Sequence, residues 1–338
     1  MNIDFTEEVH RRYNPLTGEW VLVSPHRTKR PWQGKQEAIP KKELPSYVDH
    51  CYLCPNNERA GGAKNPNYKG TFVFQNDFAA LNDKSNEVVY EQGLLKAKTE
   101  KGLCKVICFS EQHNKTLPDL SVEEITNVIK VWSEEYTSIG KLNYINYIQI
   151  FENKGAIMGC SNPHPHGQIW AQSSLPNEVL KKDTQQRSYW QQHKKSILQE
   201  YLLQEVELNE RIICSNEHFV ALTPFWAVWP YEVMLAPLKH YENIAQLNNE
   251  EQFAFAKIIQ QVTQKFDRLF KVSFPYSMGI HQAPTNNLDN SCWHFHLSFY
   301  PPLLRSATVK KFMVGYEMFG EAQRDISAEQ AAQKLKEL

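Results

Sequence analysis

The sequence predicts an α+β fold made of two related halves, each an antiparallel sheet with helices. Residues 106–124 align with residues 233–251 without a gap, at a constant offset of 127. The segment His164–Gln168 then falls opposite His294–Ser298, at an offset of 130. Self-similarity of this kind indicates a duplicated structural unit. The alternative is chance similarity between two short strand–helix units, but several matched features keep one spacing.

Each copy of the repeat has the pattern of a buried strand, a loop that carries a histidine, and the acidic start of a helix. The loop histidines are His113 and His240, and Ser121 and Asn248 are plausible N-caps of the two helices. We therefore expect an N-terminal half over residues 1–176 and a C-terminal half over residues 177–338, packed around a shared site.

The segments outside the repeat are less regular. Residues 177–210 are rich in Lys, Gln, Glu and Leu, which predicts a long helix and a connector between the halves. Residues 31–48 contain several prolines and lysines and predict an extended surface loop. Residues 326–338 predict a terminal helix with a capping box at Ser327 and Gln330.

Composition excludes several classes of function. Among 338 residues, 37 Lys and Arg nearly balance 38 Asp and Glu, so no overall positive field favours nucleic acid. No segment approaches the roughly 20 apolar residues of a membrane span, and the first residues lack the pattern of a secretory signal. Seven cysteines, an odd number, suit a reducing compartment. We expect a cytoplasmic protein without nucleic-acid or membrane partners.

A C-x₂-C pair, Cys51 and Cys54, predicts a metal site, with a redox pair as the rival interpretation. Nothing near it suggests a thioredoxin unit. Two more ligands are needed for tetrahedral zinc, and His113 and His164 are the candidates because no second cysteine pair has suitable spacing. Cys104 and Cys108 share a strand face, but a free cysteine is commonly a small buried apolar residue. The expected zinc site is structural.

The segment around His166 carries the candidate catalytic groups. In a strand His164, His166 and Gln168 project to one face, and the prolines and glycine around them suit a distorted or edge strand that a ligand can approach. A metal pair or hydrogen-bonded core histidines are the alternatives. Neutral imidazole can attack a phosphorus atom and so divide one displacement into two steps. The amide of Gln168 can donate to a phosphoryl oxygen.

The sequence GCSNPHPHGQIW at 159–170 resembles the active-site signature of the galactose-1-phosphate uridylyltransferases, a branch of the histidine-triad superfamily. Most of that superfamily carries a third histidine at this position of the strand. This branch has a glutamine there instead, and this sequence has Gln168. Blocks at 11–34, 76–81, 106–110, 151–155, 274–279 and 300–318 extend the resemblance over nearly the whole chain. It implies two histidine-triad-like halves whose antiparallel sheets form a half-barrel with flanking helices.

The resemblance implies a ping-pong exchange of UMP between UDP-glucose and galactose 1-phosphate, as in the Leloir pathway of galactose metabolism. His166 would be the nucleophile, the carbonyl of His164 would orient it, and Gln168 and Ser161 would contact the phosphoryl group. Asn153 would lie in the same pocket as these groups. The other implied substrate-binding residues are Arg27, Arg30, Asn76, Asp77 and Phe78 near the nucleotide, and Lys311, Phe312, Val314, Tyr316, Glu317 and Gln323 near the hexose phosphate. The last group would come from a neighbouring subunit, which implies a homodimer.

The resemblance places zinc on Cys51, Cys54, His113 and His164 but argues against a second metal. Some members have an iron site of one glutamate and three histidines, where this chain has Lys182 and Ser298 in place of two ligands. Only His281 and His296 remain, with His294 and Asp183 as compensating candidates.

Two rival functions stay open from the sequence. One is an adenine-specific phosphorylase or hydrolase of the same superfamily, against which Gln168 and the hexose-binding block argue. The other is a zinc-stabilised binding or scaffolding protein without turnover.

Overall fold

The computed structural model describes residues 3–29, 44–84 and 86–338. The strands in these residues are β1 (His10–Asn14), β2 (Glu19–Val23), β3 (Phe72–Gln75), β4 (Val89–Gln92), β5 (Leu95–Lys98), β6 (Gly102–Cys108), β7 (Tyr147–Lys154), β8 (His166–Gln172), β9 (Ile212–Ser215), β10 (Phe219–Leu222), β11 (Val233–Pro237), β12 (Tyr276–His281), β13 (His296–Tyr300), β14 (Leu303–Ser306), β15 (Val309–Lys310) and β16 (Gln323–Arg324). The helices are α1 (Val122–Ile139), α2 (Asn177–His193), α3 (Ile197–Leu208), α4 (Asn249–Phe270), α5 (Tyr316–Phe319) and α6 (Ala328–Lys336).

A nine-stranded antiparallel sheet forms the centre of the molecule, in the order β3-β6-β8-β7-β12-β13-β11-β10-β9. Its first four strands come from the N-terminal half of the sequence and the other five from the C-terminal half. The two sets meet where β7 pairs with β12 and Phe151 lies opposite Gly279. The sheet is open, with β3 and β9 at its edges.

The order of strands shows the duplication. Reading outward from the β7–β12 pair, β8, β6 and β3 on one side correspond to β13, β11 and β10 on the other. Helix α1 follows β6 as α4 follows β11, and both begin with a capping box, Ser121 with Glu124 and Asn248 with Glu251. The predicted α+β fold with two related halves is therefore confirmed.

One hydrophobic core joins the halves. Helices α1 and α4 contact each other and bury apolar residues of both, such as Trp132 and Phe266, against the sheet. A smaller sheet, β1-β2-β16, lies outside this core. There Arg12 forms a bidentate ion pair with Glu329 of α6, at 2.9 Å for each nitrogen, and Arg211 reaches the same carboxylate at 2.7 Å. The first strand is thus held to the last helix.

The connector differs in part from the sequence prediction. Helices α2 and α3 divide the segment from residue 177 because Lys194 adopts a left-handed conformation (φ 56°) and ends α2. Ser196 then caps α3 by accepting from Gln199 N. The terminal helix and its capping box, Ser327 with Gln330, are confirmed. Most of the expected loop at 31–48 lies outside the described residues, and no described helix is long and apolar enough to cross a bilayer.

Candidate functional site

Strand β8 begins with His166, whose imidazole is held by the backbone two residues earlier. The Nδ1 atom lies 2.8 Å from the carbonyl oxygen of His164. A carbonyl only accepts hydrogen bonds, so Nδ1 carries the proton and Nε2 keeps its lone pair. No group in the described part of the chain hydrogen-bonds Nε2, and His166 is not one of the clustered metal-ligand candidates. The side chain therefore presents a free nucleophilic nitrogen.

The protonation state of His166 suits a nucleophile. Burial lowers the pKa of His166, and the hydrogen bond to the His164 carbonyl partly opposes that shift. A buried imidazolium loses hydration that the neutral ring does not need. His166 is consequently neutral at pH 7.

Gly167 lets the strand approach its neighbours closely. A Cβ at this position would lie 2.8 Å from Phe109 Cζ and 3.0 Å from the carbonyl oxygen of Phe151, both closer than ordinary contact. The preceding backbone is fixed as well, since Phe109 N donates to the Pro165 carbonyl at 2.9 Å. The glycine thereby sets the position of His166.

Two amides lie beside His166 on the same face of the sheet. Gln168 is two residues along β8, and Phe151 lies directly opposite it on β7, so Asn153 shares that face with both. Gln168 Oε1 accepts from Trp170 Nε1 at 3.0 Å, and Asn153 Oδ1 accepts from Ser277 Oγ at 2.6 Å. Both amides are left with N–H groups to donate. An imidazole with two amide donors can hold and attack a phosphoryl group.

Ser161 lies in the loop that leads into β8 and is exposed. The loop passes through Gly159, whose left-handed conformation (φ 81°) closes the turn after residues 156–158. The exposure of Ser161 leaves its hydroxyl open to a ligand.

The four predicted metal ligands converge in a buried cluster. Sγ of Cys51 and Cys54 and a ring nitrogen of His113 and of His164 all lie within 4.8 Å of one another. Cys54 Sγ lies 3.7 Å from His113 Nδ1 and 3.5 Å from His164 Nδ1, which matches the edges of a tetrahedron with bonds of about 2.0–2.3 Å. These residues could hold a metal ion.

The surroundings of the cluster favour an ion there. Burial raises the pKa of the Cys54 thiol to about 11 and lowers the pKa of His164 to about 4. Thiolates in such a place need a cation to stabilise them. His164 Nε2 lies 2.9 Å from the Ser110 carbonyl, which fixes the proton on Nε2 and leaves Nδ1 as the ligand atom. Because the His164 carbonyl also orients His166, the cluster supports the candidate nucleophile.

Family models match nearly the whole chain. The model described as galactose-1-phosphate uridyl transferase, N-terminal domain, matches residues 1–176, and the C-terminal domain model matches residues 181–338. The chain belongs to the galactose-1-phosphate uridyl transferase family. A galactose-1-phosphate uridylyltransferase of Haemophilus influenzae is 53% identical over 98% of this chain and 95% of its own length. That of Saccharomyces cerevisiae is 46% identical over 99% and 96%.

Solved structures show the same fold. A structure described as that of a uridylyltransferase has a TM-score of 0.76, with 23% identity over 97% of each chain. An ADP-glucose phosphorylase from Arabidopsis thaliana also has a TM-score of 0.76, with 22% identity over 98% of this chain and 99% of its own. At identities this low, the two matches show that the fold is shared and say nothing about which substrate this chain binds.

The expected nucleotide residues of this galactose-1-phosphate uridyl transferase family member lie on two segments. After β3, Asn76 Oδ1 accepts from Phe78 N at 2.9 Å, and Asp77 faces Arg59 at 3.6 Å. This turn leaves Phe78 78% exposed. Arg27 pairs with Asp325 at 2.9 Å instead of standing free. Arg30 lies outside the described residues.

The expected hexose-phosphate residues form a separate network near β16. Lys311 pairs with Glu317 and lies 3.3 Å from Gln323 Oε1. Gln323 donates to Asp325 at 2.8 Å, which connects this group to Arg27. Phe312, Val314 and Tyr316 are exposed. Within the described residues, no direct hydrogen bond joins the network to His166.

Several contributing residues were missed from the sequence. Tyr68 OH donates to the Leu53 carbonyl at 2.6 Å and lies 3.1 Å from His164 Nε2. Asn162 accepts from His164 N at 3.0 Å and donates to Cys51 Sγ at 3.4 Å. Asn162 lies inside the signature segment 159–170, so its position in the sequence could have indicated a role in the site. Nothing in the sequence around Tyr68 indicated a role, because an isolated tyrosine in a loop belongs to no recognisable motif.

Proposed function

We propose that this enzyme exchanges UMP between UDP-glucose and galactose 1-phosphate in galactose metabolism, through a uridylyl group carried on His166. The observation that carries the proposal is the free Nε2 of His166, with Nδ1 fixed 2.8 Å from the His164 carbonyl. An imidazole held in one tautomer and aimed from a strand end is arranged for attack on a bound phosphorus.

The reaction has two displacements. His166 Nε2 attacks the α-phosphorus of UDP-glucose, a P–N bond forms, and the P–O bond to glucose 1-phosphate breaks. A phosphate oxygen of galactose 1-phosphate then attacks the same phosphorus, breaks the P–N bond and leaves as UDP-galactose. The Nδ1 proton stays on the ring, and its hydrogen bond to the His164 carbonyl stabilises the positive charge that the ring develops. Gln168, Asn153 and Ser161 donate to the phosphoryl oxygens, where a carboxylate would repel them.

Zinc is the ion we assign to Cys51, Cys54, His113 and His164. Two thiolates and two imidazoles in tetrahedral arrangement are a closed structural zinc set. All four residues are buried, which leaves no open position for substrate. The ion would tie the loop that holds the cysteines to the segment before β8.

The substrate contacts belong to the same proposal. Asn76, Asp77, Phe78, Arg27 and Arg30 bind the nucleotide. The residues Lys311, Phe312, Val314, Tyr316, Glu317 and Gln323 bind the hexose phosphate of a neighbouring subunit. The exposure of Phe312, Val314 and Tyr316, at 41%, 58% and 55%, fits a surface that a second chain completes. We therefore propose a homodimer with shared sites, in the cytoplasm, where the free thiols of its cysteines persist.

Mass spectrometry of the protein mixed with UDP-glucose tests the proposal. We expect an adduct of one uridylyl group, mapped to His166, that disappears when galactose 1-phosphate is added. His166→Gly should abolish the adduct, while His296→Asn, its counterpart on β13, should keep it. Exchange of UDP-sugars that persists in His166→Gly would refute the mechanism. An adduct from ADP-glucose but not from UDP-glucose would favour the adenine-specific alternative.

Mixing two inactive variants tests the shared site. His166→Gly and Lys311→Ala should each lose exchange, and a refolded mixture should recover about a quarter of wild-type activity in hybrid dimers. If well-folded hybrid dimers recover no exchange activity, His166 and Lys311 of one site belong to the same chain.

A further inference from the structure

The C-terminal half contains a counterpart of the His166 site. Phe151 lies opposite Gln168 on one side of the sheet, and Gly279 lies opposite Ser298 on the other. Because Phe151 and Gly279 also face each other at the join of the halves, Gln168 corresponds to Ser298. By the same count His166 corresponds to His296, and Asn153 to His281.

The backbone arrangement of the counterpart is preserved. His296 Nδ1 lies 3.0 Å from the His294 carbonyl, as His166 Nδ1 lies 2.8 Å from that of His164. The rings of His281 and His296 stack at a centroid distance of 4.7 Å. His296 Nε2 is buried and has no hydrogen-bond partner in the residues that the structure describes. A buried nitrogen with a free lone pair is a position that ordinarily receives a donor or a cation.

A lysine from helix α2 occupies this centre. Lys182 is buried, with 8% of its surface exposed, and its Nζ lies 3.0 Å from His281 Nδ1. After burial itself, the positive charge of Lys182 is the largest cause that lowers the pKa of both His281 and His296. The ammonium contacts His281, whose ring stacks on that of His296, and Glu232, also buried, supplies a compensating negative charge.

The donor set does not fit the second metal that the resemblance raised. An ammonium has no lone pair for a metal, and its charge repels one. A serine hydroxyl is a weak ligand, so His281 and His296 are the remaining pair, below the three protein ligands of an open site. His294 is committed elsewhere, because its Nε2 lies 2.9 Å from the Pro237 carbonyl. Asp183 accepts from Trp293 Nε1 at 2.8 Å.

We propose that the Lys182 ammonium is a built-in cation that takes the place of a metal ion between His281 and His296. The positive charge beside the two neutral imidazoles is then carried by a side chain of the protein itself, and no bound ion is needed. Donation to His281 Nδ1 satisfies one ring, and the positive charge beside the stacked pair disfavours a second charge on His296. The C-terminal counterpart is thereby closed to metal, and this inference does not depend on the transfer activity of the other half.

The substitution Lys182→Glu tests this directly. It replaces the cation with a carboxylate and gives three donors with His281 and His296. A glutamate is shorter than a lysine, and a metal–oxygen bond of about 2.0–2.2 Å spans the difference. After incubation with Zn²⁺ or Fe²⁺ and desalting, we expect Lys182→Glu to retain about one more ion per chain than the wild type, measured by elemental mass spectrometry.

Two control variants make the result specific. Lys182→Met removes the charge without adding a donor and should retain the wild-type metal content. The double variant Lys182→Glu/His281→Asn should lose the extra ion. A folded Lys182→Glu protein without an extra ion would overturn the proposal.

The wild type gives a measurement that needs no stable glutamate variant. The wild type and His281→Asn should contain equal metal, because His281 binds none in the presence of the ammonium. A wild type that holds an ion lost on His281→Asn would also overturn the proposal.

Discussion

Replacing Gly167 with alanine should slow uridylyl transfer in a protein that is destabilised but still folds. The added Cβ would meet Phe109 Cζ at 2.8 Å and the Phe151 carbonyl oxygen at 3.0 Å. Neither neighbour can yield easily, since Phe109 is buried against Trp132 and the Phe151 carbonyl belongs to the central sheet. The start of β8 must therefore move by roughly half an ångström, and His166 moves with it.

The magnitudes follow from that displacement. Overpacking of this kind costs about 1–3 kcal/mol of unfolding free energy, or a few degrees in Tm. A misplacement of about 1 Å can cost about 100-fold in rate, so we expect about a tenfold slower formation of the uridylyl adduct. Rapid-quench measurement of adduct formation, with thermal unfolding in parallel, gives both numbers.

Gly279→Ala is the matched control, because it lies at the centre of the same sheet. Its Cβ would meet a side-chain atom, Gln149 Nε2, at 3.3 Å and the Ile150 carbonyl at 3.7 Å. We expect the rate of adduct formation to stay within about twofold of the wild type, because only a side-chain end must move. A Gly167→Ala enzyme with a wild-type rate and wild-type Tm would refute the argument from close approach.

Three other outcomes follow from the structure. Tyr68→Phe removes the donor to the Leu53 carbonyl and the contact with His164 Nε2, so metal affinity should fall about 10-fold and stability by about 1–2 kcal/mol, seen by competition with a chelator and by urea unfolding. Because burial lowers the pKa of His166, the fall in the rate of adduct formation on acidification should be centred below pH 6.5. A decline centred at or above pH 6.5 would contradict this. Burial raises the pKa of Glu329, but the hydrogen bond and charge of Arg12 outweigh burial and lower it to about 2. Glu329 therefore stabilises the fold above pH 4.5, and this stabilisation is lost as the pH falls toward 2. Glu329→Ala should cost about 3 kcal/mol at pH 7 by denaturant unfolding and little near pH 2.

The duplication and the metal ligands were predictable because both depend on patterns that the sequence repeats or spaces. A strand, a histidine loop and a capped helix recur at one offset, and Cys51 and Cys54 have the spacing of a shared ion. The break between α2 and α3 was less accessible, because no glycine or proline stands at Lys194. The left-handed conformation there lets Lys194 N donate to the Trp190 carbonyl at the end of α2.

Other partners of the site could not be predicted, because they depend on contacts between segments far apart in the chain. Tyr68 reaches His164 across 96 residues, and Asp325 reaches Arg27 across 298. Nothing in the local sequence of either residue distinguishes it from an ordinary surface or core position. Only a folded chain selects which of the many tyrosines and aspartates meets the site.

The sequence by itself determined the two-half α+β fold, the four cysteine and histidine residues that converge in a cluster able to hold a metal ion, and the strand that begins at His166. The fold follows from the repeat at one offset, and the ligand cluster follows from the spacing of Cys51 and Cys54 with two candidate histidines. The glycine at 167 predicted an edge or distorted strand, whereas β8 pairs with β6 and β7 on its two sides. The tertiary structure decided how the halves join, at β7 and β12. It also placed the Lys182 ammonium against His281, a contact between residues 99 positions apart that no local pattern in the sequence indicates.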